Sequence, residues 1–469
     1  MMNRKSFGGL IALSAIFVAV VMLALLLRAQ TPQPVANLDS PLPTPPPKAA
    51  TATKAAPTPG LRPTSTRPPE PTPRPPSPIP TLGPPTPTPE PLPTLLPGRD
   101  IFVYTTTGER GPEIWRVQPD EMGRIVERGF QVHQLFEWNS RASISHIYSS
   151  PDGEKMAVQW GVAENSRISI LDISTGQITA LTSIINDKQI PTEDMLFFDW
   201  HPNGEYILMY SGNGNPDLGW RLVSVNVNTG EFETIDLIGF TMNLWIRKAV
   251  YSMDGNYLYY THSDCFDCGS QIWQLHVDAK EKRLVAMTDR YEIATIVLSP
   301  DGQYLAYTKL PDEDYFAGYG VGELWIIPVN GGEARFLSEA LTGFYREFDP
   351  AWSTDSQQIA FFSGSGSGNR LAHFSSNVYI ANIKDGSSVQ LSHLDGRQAA
   401  NLSWAPTSQS VVFVTNQASG SYFFEPWFSD TSKYTSQPLV TESPFLLDGS
   451  KSNPILIWLP GIQKAESKQ

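Results

Sequence analysis

The feature that most constrains this chain is a short motif that returns about every fifty residues. Ser150-Pro151-Asp152-Gly153-Glu154-Lys155-Met156 recurs as His201-Pro202-Asn203-Gly204-Glu205-Tyr206-Ile207, as Ser252-Met253-Asp254-Gly255-Asn256-Tyr257-Leu258 and as Ser299-Pro300-Asp301-Gly302-Gln303-Tyr304-Leu305. Two degenerate copies follow, Ser353-Thr354-Asp355-Ser356-Gln357-Gln358-Ile359 and Ala405-Pro406-Thr407-Ser408-Gln409-Ser410-Val411. Measured between Asp152, Asn203, Asp254, Asp301, Asp355 and Thr407, the spacings are 51, 51, 47, 54 and 52. A period of this length marks one supersecondary unit copied several times, each unable to bury its apolar surface alone.

Each copy obeys one physical grammar. A short apolar run precedes the motif, with Trp200, Tyr251, Trp352 or Trp404 three residues upstream of the marker in four copies. Pro-Asp-Gly is a turn: Pro presets φ, Asp bonds its own backbone, and Gly accepts positive φ. An alternating strand follows, with apolar pairs Met156/Val158, Ile207/Met209, Leu258/Tyr260, Leu305/Tyr307, Ile359/Phe361 and Val411/Phe413 on one face. A third strand (Ile272-Trp273-Gln274-Leu275, Leu324-Trp325-Ile326-Ile327), a second tight turn (Ser174-Thr175-Gly176, Asn228-Thr229-Gly230, Asn330-Gly331-Gly332, Asp385-Gly386) and a fourth strand complete it. The unit is a four-stranded antiparallel meander, and radial stacking is how such units bury both faces and limit their edges. No stretch after residue 100 sustains a 3.6-residue apolar period. The fold class read from these residues is all-β, a β-propeller of four-stranded antiparallel blades. The Ser/His-Pro-Asp/Asn-Gly turn, the hydrophobic-x-aromatic strand after it and the Ile/Leu-Trp strand ahead of the Gly turn resemble the WD40-like (PD40-type) repeats of bacterial, membrane-anchored TolB-like propellers. The resemblance covers about residues 100–460. That family hosts periplasmic binding proteins, peptidase-associated propellers and lyases, so it implies a fold rather than an activity.

Blade number follows from the two ends. Ile101–Thr105, Ile114–Val117 and Val132–Phe136 read as strands two, three and four of a blade that lacks its first strand. Pro454-Ile455-Leu456-Ile457-Trp458 is a lone strand after the six repeats and would supply it. Seven blades result; six is the alternative if the weak segment 416–445 forms no strands of its own.

A meander puts the first and third turns of every blade on one end of the propeller. These turns are short. The spacing excess falls on the other end: Ser183–Met195, Ser211–Gly219, Ser263–Ser270, Lys309–Gly322, Glu339–Glu347, Ser363–Ser376 and Asn416–Ser421. Such an end is the expected binding face. Its candidate ligand-binding residues are Asp217, Trp220, Asp312, Asp314, Tyr315, Arg346, Arg370 and His373; aromatic and charged groups around a channel suit a peptide or sugar. Asp312-Glu313-Asp314 lacks the interleaved spacing of a calcium loop, and a solvated loop is the plainer reading. Cys265 and Cys268 are half of a zinc motif, without a second pair; a small loop disulfide is the expectation for an extracytoplasmic chain. The repeated Trp115, Trp200, Trp273, Trp325, Trp352 and Trp404 read as inter-blade core rather than sugar platforms. No metal and no cofactor is expected.

The first hundred residues are of a different kind. Of the 41 prolines, 25 fall within residues 31–98. Proline cannot donate to a helix or sheet ladder and biases its predecessor to extended backbone, so residues 28–98 are expected to be a disordered Pro/Thr-rich linker with polyproline-II character. At about 3.1 Å per residue it could reach roughly 200 Å. Phe7–Leu27 carries no charge, follows Arg4 and Lys5, and is closed by Arg28. Twenty-one such residues are enough to span a bilayer as one transmembrane helix, read as a signal anchor with residues 1–6 cytoplasmic and the rest extracytoplasmic. Secretion after cleavage is the alternative. The expected organisation is then 1–6, the anchor 7–27, the linker 28–98, a propeller 99–460 and a disordered tail 461–469. Residues 1–98 carry eight basic and three acidic side chains; against the chain total of −13 this leaves −18 for the remainder. An acidic ectodomain argues against nucleic acid as a partner.

Catalytic signatures are missing. Gly364-Ser365-Gly366-Ser367-Gly368 has glycine where a nucleophile elbow needs serine, and no His-Glu-x-x-His or phosphate loop occurs. The sequence therefore reads as a membrane-tethered, non-catalytic binding module for protein, peptide or cell-wall glycan. The alternative is a propeller enzyme of lyase or glycosidase type on polysaccharide, whose scattered loop carboxylates would leave no local motif. A buried Asp/Glu/His/Arg cluster at the channel mouth would favour the enzyme, and a flat or apolar rim the binding module.

Overall fold

The computed structural model describes residues 92–460, apart from 97, 109–110, 119–129, 135–142, 163–164, 182–195, 212–219, 239–245, 264–268, 290, 312–317, 345, 367–373, 407–408, 417–422, 440–446 and 449–454. The chain divides into Met1–Pro85 and Thr86–Gln469, and every described residue belongs to the second unit. Residues 7–27, most of the linker and the tail lie outside the described residues. Among the described residues no helix is long and apolar enough to cross a membrane.

The repeat folds as its grammar demands. Seven antiparallel sheets form, each with strands in the order of the meander. Blade one contains β1 (Ile101–Gly108), β2 (Gly111–Val117) and β3 (Phe130–Gln134). Blade two is β4 (Ser143–Ser149), β5 (Lys155–Val162), β6 (Asn165–Asp172) and β7 (Ile178–Ala180). Blade three is β8 (Leu196–Trp200), β9 (Tyr206–Ser211), β10 (Trp220–Asn226) and β11 (Phe232–Ile238). Blade four is β12 (Ala249–Tyr251), β13 (Tyr257–His262), β14 (Gln271–His276) and β15 (Lys282–Met287). Blade five is β16 (Tyr291–Leu298), β17 (Tyr304–Pro311), β18 (Tyr319–Pro328) and β19 (Arg335–Gly343). Blade six is β20 (Ala351–Trp352), β21 (Gln358–Gly366), β22 (Phe374–Asn382) and β23 (Ser388–Gln390). Blade seven is β24 (Ala399–Trp404), β25 (Ser410–Asn416), β26 (Phe423–Asp430) and β27 (Thr435–Pro438), with β28 (Leu447–Asp448) pairing β26. The last strand, β29 (Leu456–Leu459), returns to blade one and pairs with β1, Ile101 opposite Leu459 and Tyr104 opposite Leu456. The ring thus closes through a composite first blade. Residues 423–438 do form strands, which decides for seven blades.

The core lies between blades, and the second strands show why. Met156/Val158, Ile207/Met209, Leu258/Tyr260, Leu305/Tyr307, Ile359/Phe361 and Val411/Phe413 each point as a pair into one inter-blade cluster. The residue between them points into the next: Ala157, Leu208, Tyr259, Ala306 and Ala360 pack against the following blade's pair. A strand buried on both faces needs no polar alternation, and each fully buried Leu, Ile or Met is worth about 1.5–3 kcal/mol. Trp200, Trp352 and Trp404 are buried in these clusters, and Trp115, Trp273 and Trp325 pack against them half-buried. Trp200 Nε1 donates to Tyr148 O at 3.0 Å and Trp352 Nε1 to Val297 O at 3.1 Å, each stitching one inner strand to its neighbour. Trp115, Trp273, Trp325 and Trp427 instead donate to a Glu or Gln two residues back on the same strand.

The turns tile. In the first, Ser150 Oγ donates to Asp152 Oδ1, Asp152 Oδ1 accepts the Glu154 amide at 3.0 Å, and Gly153 stands at φ +72°. A Cβ on Gly255 (φ +75°) would lie 2.3 Å from His201 Nε2 of the preceding blade's turn. Two expected insertions resolve differently. Much of Lys309–Gly322 and Ser363–Ser376 is strand: β17 and β18 run to Pro311 and from Tyr319, β21 and β22 to Gly366 and from Phe374. The reason is local: Gly322 and Gly364 let the paired backbones approach so closely that a Cβ would sit 2.0 Å from Lys309 O and 1.9 Å from Ser375 O, respectively.

Residues 92–96 belong to the packed structure. Leu92 and Leu95 lie against the cluster between blades one and two. Arg116, 2% exposed, donates to the carbonyls of Ile173, Ser174 and Pro93.

Candidate functional site

First strands of neighbouring blades lie against one another, so they are innermost and surround the central channel. Their chain direction runs from the inter-blade links to the Pro-Asp-Gly turns. A strand so placed should be apolar, yet His146, Lys248, Thr295, Asp349 and Asn401 each occupy the position six residues upstream of the repeat marker. The ladder confirms equivalent seats for two of them, His146 opposite Gln159 and Thr295 opposite Thr308, while the Lys248 carbonyl accepts the amide of Thr261 at 3.0 Å. The channel is therefore lined at one level by polar groups from separate blades.

Short inner strands in blades four and six let chain enter the channel. β20 has only two residues, and the turn of 3-10 helix ahead of it, Arg346–Phe348, carries charge inward. Lys248 Nζ of blade four meets Asp349 Oδ2 of blade six at 2.8 Å, skipping blade five; their side chains are 6% and 21% exposed. Arg346 reaches further. Its Nη2 donates to Phe198 O of blade three at 3.0 Å, and its guanidinium lies 4.1 Å from the ring centroid of Tyr148 in blade two. Asp199 spends both oxygens on backbone amides, Oδ1 on Trp200 at 2.9 Å and Oδ2 on Tyr251 at 2.8 Å. Beside this centre, Arg247 lies 4.0 Å from the Phe344 ring and 3.8 Å from Glu292, which accepts from Ser263 Oγ.

Surrounding protein perturbs each titrating group. Burial, then Arg346 and Lys248, hold the His146 imidazole well below its ordinary range, so it is neutral at pH 7. Burial pushes the Tyr148 phenol up to about 12, against the pull of Arg346. Burial raises Asp199 to about 6 despite its two amides and Arg346. Burial and Arg346 lower Lys248 to about 8, while Asp349 supports its charge. The arrangement offers donors, one ion pair and a neutral imidazole in a confined channel, which suits binding of a polar ligand. Among the described residues no group of three His, Cys, Asp or Glu is placed to hold a metal ion. A groove of ≈ 670 Å³ lies elsewhere, lined by Asp301, Tyr304, Arg335 and Lys384. It is an open furrow where blades five and six meet at the short turns, and the convergent buried charges make the channel the stronger candidate.

Of the residues expected from sequence, Arg346 sits at the heart of this cluster. Trp220 begins β10, and its side chain is outside the described set. Asp217, Asp312, Asp314, Tyr315, Arg370, His373, Cys265 and Cys268 lie outside the described residues. His146, Tyr148, Asp199, Lys248 and Asp349 were missed. For His146, Lys248 and Asp349 the signal was the polar residue six upstream of the marker, legible only once the repeats are aligned; Tyr148 and Asp199 stand four upstream of theirs.

No protein-family model matches the chain, and no curated protein matches it in sequence. Solved structures match it in fold. TolB from Acinetobacter baumannii is similar at 16% identity and a TM-score of 0.39, over 77% of this chain and 82% of that one. An oligogalacturonate lyase in complex with manganese is similar at 13% identity and 0.41, over 63% and 72%. A prolyl endopeptidase is similar at 12% identity and 0.48, over 72% of this chain and 49% of that one, so this chain spans about half the endopeptidase's length. These are likenesses of fold, with TolB among the neighbours.

Proposed function

We propose that this protein is an extracytoplasmic binding propeller with WD40-like repeats, tethered through residues 7–27 and the proline-rich linker, which takes a protein, peptide or cell-wall glycan in its polar channel. The observation that carries the reading is the convergence of His146, Tyr148, Lys248, Arg346 and Asp349, from blades two, four and six, on one stretch of channel. Charges spaced tens of residues apart and desolvated together cost stability; a ligand seat is a physical reason to keep them there. The test is a glycan and peptide array probed with the full chain in mild detergent. Arg346→Gln should weaken any captured ligand about tenfold or more. Equal capture by the variant, or silence across the array, overturns the reading.

A propeller enzyme on polysaccharide is favoured by the same buried gathering of His146, Asp199, Arg346 and Asp349, with Lys248 held near 8, where an amine can act as a base. Its bond to Asp349 works against that role. Chain shortening of a polysaccharide, lost in Lys248→Met, would establish the enzyme; intact polymer after prolonged incubation would remove it.

A further inference from the structure

The channel groups differ in how far their hydrogen-bonding capacity is used. Asp199 is spent on two amides. Lys248 gives hydrogen to Asp349 Oδ2, and Arg346 gives one N–H to Phe198 O. Asp349 Oδ1, shut off from bulk solvent, accepts from no protein group. Thr295, 2% exposed, has an Oγ1 that likewise takes no partner. Lys248, Thr295 and Asp349 hold the same place, six upstream of the marker, in three successive blades. An ammonium with spare hydrogens, an orphaned carboxylate oxygen and an orphaned hydroxyl therefore share one sector of one channel level.

Resting on the reading of the channel as a binding site, we propose that Lys248, Thr295 and Asp349 clamp a vicinal diol of a neutral sugar residue. One sugar hydroxyl donates to Asp349 Oδ1 and accepts from Thr295 Oγ1; its neighbour accepts from Lys248 Nζ. Hydroxyls both donate and accept, which is what an ion pair with one open oxygen asks of its partner. Two vicinal hydroxyls present these roles side by side. A trans peptide group cannot, because its N–H and C=O point in opposite directions. An anionic sugar or peptide carboxylate would meet Asp199, Glu292, Glu347 and Asp349 against Arg247, Lys248 and Arg346, so charge selects a neutral residue. Arg346 spans from blade six to blades two and three, so a chain end or a side branch enters rather than a threaded polymer.

The test is calorimetric or NMR titration of the full chain in detergent with the methyl glycosides of glucose, galactose and mannose. Galacturonate and N-acetylglutaminamide serve as the anionic and amide probes. At least one neutral glycoside should bind, and its 2,3-dideoxy analogue should not. Thr295→Val, which removes an unpartnered hydroxyl without changing shape, should weaken that binding about tenfold while leaving the melting temperature unchanged or higher. Unchanged glycoside affinity in Thr295→Val overturns the clamp. Binding of galacturonate or N-acetylglutaminamide without any neutral glycoside overturns it too, and leaves the channel as a binding site. Silence from every probe, with array capture still lost in Arg346→Gln, overturns the clamp alone; silence in both experiments overturns both readings.

Discussion

At the scale of single residues, two kinds of position hold the molecule in tension with simple propensity. Gly255 is one: positive φ and the His201 ring both exclude a Cβ there. Gly255→Ala should cost about 2 kcal/mol or more, from left-handed strain plus the clash. Adding His201→Ala should recover the clash but not the strain, a coupling that urea denaturation of the double-mutant cycle will show. Gly302, at φ +69° with Met253 Cγ 3.4 Å from the position of a Cβ, should show strain alone. Asp199 is the other kind. Its folded pKa of about 6 lies above its ordinary 3.8, so between about pH 4 and 6 the folded state holds the proton more tightly than the unfolded chain. Its contribution to stability therefore falls as pH rises through that window and is level above it. Asp199→Asn should flatten this part of the stability profile and cost about 1–3 kcal/mol, because its NH2 must face the Trp200 or Tyr251 amide. Denaturation at pH 4, 5, 6 and 7 checks both.

At the scale of elements, the sequence was most legible where one chemistry was repeated. Pro-Asp-Gly turns, the paired apolar positions of the second strands and even the split first blade could be read, since each rests on local turn chemistry or strict alternation. What could not be read arises between elements. The register shifts that give an extra residue to the fourth strands, bringing Ile235, Val285 and Leu337 into burial, leave no local mark. Glycines in blades five and six extended strands that spacing alone assigned to loops. Apart from Arg346, the channel cluster escaped for a similar reason: each member is a single polar residue in or just ahead of an inner strand, and only the ring brings Lys248 to Asp349. Closure itself is testable. Without β29, β1 becomes a naked inner edge and Trp458 no longer donates to Asp100. A chain ended at Asn453 should lose cooperative thermal unfolding and aggregate; an unchanged melting transition would show that six blades and an open seventh suffice.

At the scale of the whole molecule, the charge split and the proline count describe a basic, proline-rich leader and an acidic remainder. If residues 7–27 anchor the chain, alkaline extraction should leave the intact 469-residue protein in the membrane fraction. A soluble product whose mature N-terminus lies near residue 30 would show the anchor reading to be mistaken.

Arg116 would give the proposed tether a mechanical meaning. Any pull on the chain ahead of residue 92 meets the Pro93 carbonyl, the Arg116 guanidinium and the turn of blade two before it reaches β1. The load is shared across a seam between two blades instead of peeling one strand from its ladder. A pull on the chain ahead of the propeller would thus leave its ring closed.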